Sequence, residues 1–93
     1  MDKRVEVLNE CRALIDEVDQ QLISCLAKRF QLSKAIGSIK RDADVRVHQP
    51  DRAKQVEEHY VNLGTSHGIQ RNFAVDLFHL IHEESCRIQR VEE

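Results

Sequence analysis

Apolar residues recur at three- and four-residue steps through the first forty positions of the chain. Leu8, Cys11, Ile15, Val18, Leu22, Cys25, Leu26, Ile36 and Ile39 fall on one face of a single helix. No proline interrupts the run, and the lone Gly37 is a tolerable cost. The spacing predicts a helix from about Arg4 to Arg41. A helix of about 38 residues is roughly 57 Å long, more than one small monomer can cover. The stretch "RDADVRVHQP" has no helical period and predicts a loop over about Asp42 to Gln49. Pro50 suits the first turn of a second helix, where its missing N–H is no loss. That helix is predicted to end at about Leu63, with Ala53, Val56, Tyr60 and Leu63 on one face and Gly64 in "GTSHG" breaking it. A third helix, about Asn72 to Val91, carries Ala74, Leu77, Phe78, Ile81 and Ile88 as its stripe. The expected fold is all-α, one very long helix and two shorter ones, in a single domain over residues 1–93.

Size and charge narrow the picture. A chain of 93 residues buries a thin core, and long helices in so short a chain point to oligomerisation. The formal net charge is −2 with both signs interspersed, which argues against a nucleic-acid surface but not against a small anion held by a few local cations. Three cysteines, Cys11, Cys25 and Cys86, are odd in number, widely spaced and within helical patterns, so free thiols in a reducing compartment are expected. The N-terminus "MDKRVEVLNECR" has no apolar signal region, and no run approaches membrane-spanning length. A cytoplasmic protein is expected. His79 and His82 with Glu83, in "HLIHEES", lack a positioned third ligand, so no metal site is expected there, and His48, His59 and His67 read as surface residues.

The informative positions are polar residues on apolar faces. At 100° per residue, Arg29 and Lys40 fall near the centre of the first helix's stripe, and Arg12 falls at its edge. Ser85 and Gln89 follow Ile81 at four-residue steps on the third helix, and Arg52 precedes Val56 by four on the second. A buried cation needs an anion or a route to water. Internal pairing with Asp16, Asp19 or Glu84 is one solution. The other is a pocket in which Arg29, Lys40, Ser85 and Gln89 converge on a small, multiply charged anion. Arg12 stands roughly 25 Å from Arg29 and 42 Å from Lys40 along one helix. It can join such a pocket only from a second chain, as in an antiparallel helix pair with two symmetric sites.

The run "CRALIDEVDQQLISCLAKRFQLSKAIGSIK" resembles the first helix of the all-helical (AroQ-class) chorismate mutases, with its Arg, the I-D-x-V-D element, L-A-x-R, and a Lys eleven residues later. "QPDR" resembles the family's entry to the second helix, and "LFHLIHEESCRIQ" its closing pattern ending in S-x-x-x-Q. The resemblance spans about Leu8 to Gln89. It implies an intertwined helical homodimer that rearranges chorismate to prephenate, with no metal or organic cofactor. Residue by residue, it implies that Arg12 crosses the interface to bind a substrate carboxylate and that Arg29 binds the other carboxylate region. Lys40 and Gln89 would hydrogen-bond the ether oxygen. Arg52 and Ser85 would complete the site, with the backbone at Gln49 near the ring hydroxyl.

One departure from the family pattern stands out. Ala53 occupies the position where the family usually has a Glu that accepts a hydrogen bond from the ring hydroxyl, and Gln49 stands where an Asp is frequent. Two relatives lack that Glu: the 4-amino-4-deoxychorismate mutases, with a similar Q-P-x-R followed by an apolar residue, and the isochorismate-pyruvate lyases. Chorismate mutase is the leading expectation. The amino-substrate mutase, the lyase and a non-catalytic helical dimerisation module are the alternatives.

Overall fold

The computed structural model describes residues 2–91. Three helices follow in order: α1 Lys3–Asp42, α2 Pro50–Ser66 and α3 Arg71–Arg90. No strand occurs among the described residues. The all-α expectation holds, and the boundaries of α1 and α3 fall within a residue of those predicted. The chain divides into two compact units, Met1–Gln31 and Leu32–Glu93, with the division inside α1.

The unit ending at Gln31 is a helical stretch whose apolar stripe is exposed over most of its length. Leu8, Ile15, Val18 and Leu22 are all exposed, about half or more of each side chain's surface remaining open. The face predicted to be core is therefore core only in its spacing. Leu26, Arg29 and Phe30 are half-buried there.

In the other unit the core is small. Val61, Ala74, Phe78, Ile81 and Cys86 are its buried apolar residues, joined by the buried polar residues Ser33, Ser85 and Gln89. Tyr60 meets Phe78 edge-on, with ring centroids 5.7 Å apart, a favoured aromatic geometry. The predicted end of α2 at Gly64 is wrong. Gly64 is buried within the helix, where a Cβ would lie 3.1 Å from the Cβ of Ala74, so its role is close packing of α2 on α3. The stop comes at Gly68, whose φ of 78° carries a left-handed turn. There the N–H of Ile69 bonds to the carbonyl of Gly64 and that of Gly68 to the carbonyl of Thr65, the double closure of a Schellman cap.

The same device ends α1 with a less suitable residue. Asp44 holds φ 57°, Val45 N–H bonds to Lys40 O at 2.7 Å, and Asp44 N–H bonds to Arg41 O at 3.3 Å. This turn delivers the loop 43–49 to Gln49, the extended residue preceding Pro50 in α2.

Candidate functional site

The site is built where the last three turns of α1 meet α3. Ser33 and Gly37, one turn apart, are the two buried residues of α1. Ser85 and Gln89, also one turn apart, are buried on α3. Ser33 Oγ donates to Ser85 Oγ at 3.0 Å. Gly37 lies against Gln89 so closely that a Cβ would sit 2.7 Å from the Gln89 Cα and 3.0 Å from its carbonyl oxygen. Only glycine permits that approach. Three residues on, the Lys40 ammonium donates to Gln89 Oε1 at 2.8 Å and to the Val47 carbonyl at 2.6 Å. Arg41 donates to the carbonyls of Gln89 at 2.8 Å and Val91 at 3.4 Å, satisfying two of the last acceptors of α3.

The electrostatics differ from an ordinary internal ion pair. Both acceptors of Lys40 are neutral oxygens, so its positive charge is oriented but not neutralised. Glu84, one of the candidate counter-ions, is taken by Arg87, whose Nη2 lies 2.9 Å from its Oε2. The hydrogen bonds from Arg87 hold the Glu84 carboxyl below its usual pKa. Because Oε1 of Gln89 faces the ammonium, the amide NH₂ of Gln89 is turned the other way, as a donor. Among the described residues two acceptors take ammonium hydrogens of Lys40, Gln89 Oε1 and the Val47 carbonyl.

The predicted residues thus fall into groups. Lys40, Ser85 and Gln89 come together. Gln49 and Arg52 are exposed and Ala53 is half-buried, all at the start of α2, directly after the loop that Lys40 holds through Val47. Arg12 and Arg29 belong to the other unit, Arg12 exposed and Arg29 half-buried. About 25 Å of helix separates those two, so one chain does not bring both to one small ligand. Ser33, Gly37, Arg41 and the Val47 carbonyl were not anticipated. The small residues of "SKAIG" at one-turn spacing were the available signal for the first two. Of the histidines, His79 pairs with Glu57 at 3.3 Å, whereas His82 turns to His48 and Cys86. Among the described residues, those three form a group that could hold a metal ion.

Comparison with known proteins gives a consistent picture. The family model described as "Chorismate mutase type II" matches residues 11–90. A chorismate mutase of Methanocaldococcus jannaschii is 27% identical over 86 residues, covering 92% of this chain and 87% of that protein. A 4-amino-4-deoxychorismate mutase of Streptomyces venezuelae is 29% identical over 82 residues, covering 88% of this chain and 80% of that protein. A bifunctional chorismate mutase/prephenate dehydratase of Escherichia coli (strain K12) is 30% identical over 79 residues, 85% of this chain but 20% of that longer protein.

Proposed function

Because this chain belongs to the chorismate mutase type II family and is an isomerase of that kind, we propose that its substrate is chorismate, rearranged to prephenate by a [3,3] pericyclic shift. The observation that carries this reading is Lys40, an ammonium aimed by two neutral oxygens and opposed by no carboxylate in those contacts. A pericyclic shift needs no nucleophile and no general base. It needs a compact conformer held in place and donors placed where charge builds on the ether oxygen as its bond to carbon breaks. Lys40 supplies one such donor and the outward NH₂ of Gln89 the other. Ser85, one turn before Gln89, and Arg52 would complete the site, and the backbone at Gln49 would lie near the ring hydroxyl.

The carboxylates require Arg29 and Arg12, and the two come from different chains of an intertwined homodimer. The uncovered stripe of α1 in the unit ending at Gln31 supports that assembly, since a row of exposed apolar side chains marks an interaction face. The free thiols Cys11, Cys25 and Cys86 fit a reducing, cytoplasmic compartment.

Ala53 favours a second reading, in which the 4-amino analogue is the better substrate. An apolar side chain there gives no acceptor to the ring hydroxyl, and the Streptomyces venezuelae relative bears the amino-substrate name. The two are separated by presenting chorismate, its 4-amino analogue and isochorismate side by side, following substrate absorbance and identifying products by mass, with Lys40→Ala and Arg29→Ala as controls. The expected result is prephenate formation that either substitution suppresses. A preference of a hundredfold or more for the amino substrate, about 2.7 kcal/mol, would overturn the chorismate assignment. Turnover of none of the three would overturn the enzyme itself.

A further inference from the structure

Beside the catalytic residues, three metal-ligating side chains converge that the rearrangement does not use. His48 comes from the loop 43–49, and His82 and Cys86 lie one turn apart on α3. His48 Nδ1 is 3.2 Å from His82 Nε2, and Cys86 Sγ is 3.6 Å from the same nitrogen. The donor atoms of all three lie within 4.8 Å of one another.

Those spacings have a specific geometry. A tetrahedral Zn²⁺ lies about 2.0–2.1 Å from imidazole nitrogen and 2.3 Å from thiolate sulfur. Tetrahedral angles then place two nitrogens about 3.3 Å apart, and a nitrogen and a sulfur about 3.6 Å apart. Two edges of the observed triangle match these values. The third edge, between His48 and Cys86, is within 4.8 Å, and His48 is exposed on the loop. His82 is oriented by stacking on Phe78, with centroids 5.2 Å apart and planes within 18°. Cys86 is buried, so its sulfur is presented from the protein side while His48 approaches from solvent.

We propose that His48, His82 and Cys86 form a three-ligand site for a borderline-soft divalent cation of the Zn²⁺ class, with its remaining position open to water. The donor set, two imidazoles and a thiolate, selects such a cation over Mg²⁺ or Ca²⁺, which prefer oxygen. On binding, the Cys86 thiol releases its proton to solvent and the sulfur bonds the metal as thiolate. The cation ties the loop to α3. His48 sits between Val47, whose carbonyl holds Lys40, and Gln49, which leads into α2. The site therefore acts as a clip on the loop that shapes the candidate active site, and it stands independently of which substrate that site takes.

The test uses the tag-free chain titrated with Co²⁺ alone and with Zn²⁺ alone. One Co²⁺ per chain is expected, with a near-ultraviolet thiolate-to-metal band and tetrahedral visible bands. Cys86→Ser should abolish the thiolate band, and a Cys11→Ser/Cys25→Ser double variant should retain it. His48→Ala, at an exposed loop position, should weaken Zn²⁺ binding by about a hundredfold or more, since even outer-shell partners of ligands are worth ten- to a hundredfold. Zn²⁺ should raise the Tm of the parent chain but not of His48→Ala. Binding that His48→Ala leaves unchanged, a band that survives Cys86→Ser or disappears in the double variant, or no binding at micromolar metal, each overturns the proposal.

Discussion

Gly37→Ala adds one carbon at the point where α1 and α3 touch. A methyl in the middle of an exposed helix improves stability by about 1 kcal/mol over glycine. At Gly37 the new Cβ would lie 2.7 Å from the Gln89 Cα, 3.0 Å from its carbonyl oxygen and 3.1 Å from its Cβ. Two of those atoms are backbone, so no rotamer change relieves the contact. Overpacking of this kind costs about 1–3 kcal/mol, and rigid neighbours put it at the upper end. The expected net loss is about 1–2 kcal/mol, a fall in Tm of about 5–15 °C for a domain of this size. Ala35→Gly, on the exposed face of the same helix, measures the propensity contribution separately and should cost about 1 kcal/mol. Thermal melts by circular dichroism give both values. Chorismate turnover gives a second readout, because pushing α3 outward draws Gln89 Oε1 off the Lys40 ammonium. A loss of about tenfold or more in kcat is expected from that displacement. A Gly37→Ala chain as stable as the parent, or more so, would refute the close approach as the reason for glycine.

Four further outcomes follow from the same geometry. Lys40→Ala and Gln89→Ala should each lower kcat/KM for chorismate by about 10²–10³-fold, the worth of one transition-state donor, and together by less than the product, because Lys40 orients the Gln89 amide; a strictly multiplicative double variant argues against that coupling. Asp44→Gly relieves a left-handed residue at the end of α1 and should stabilise by about 0.5 kcal/mol, seen as a Tm rise of about 2–4 °C with turnover unchanged; a lower Tm contradicts the cap. Ala53→Glu should raise kcat/KM on chorismate by restoring an acceptor for the ring hydroxyl, and an unchanged value counts against the role given to that position. An Arg12→Ala chain mixed with an Arg29→Ala chain should regain activity through heterodimers that hold one intact site; heterodimers shown to form but inactive argue against a shared site.

The three helices were legible because their signals are local. Period, proline position and the absence of breakers from α1 depend on a few neighbouring residues. Lys40, Ser85 and Gln89 were legible for a related reason, being polar residues placed on faces that spacing assigns to a core. Gly64 and Gly37 were misread because a glycine's meaning is settled by what packs against it. Gly64 faces Ala74 and Gly37 faces Gln89, and neither partner is near in sequence. Gly68, four residues after Gly64, took the turn instead. The His48–His82–Cys86 cluster was illegible for the same reason: 34 positions separate the first two residues, and only the loop's return along α3 brings them within hydrogen-bonding distance.

The cations in the α1 stripe divide into two physical cases. Lys40 is half-buried and bonded to neutral oxygens, so its surroundings orient the ammonium without cancelling its charge. That is an arrangement from which an anionic ligand gains, because the two acceptors that hold the ammonium are neutral and neither has to be displaced as a competing charge. Arg12 stands on a helix whose apolar neighbours, Leu8, Ile15 and Val18 among them, are themselves exposed. Each such side chain stabilises by about 1.5–3 kcal/mol when fully covered, so the whole row strongly favours association even after the entropy it costs. In the proposed homodimer, a cation embedded in that row would be carried into the interface with it. On that proposal, the same exposed stripe that makes the segment a poor core for one chain would make it a means of delivering an arginine to another.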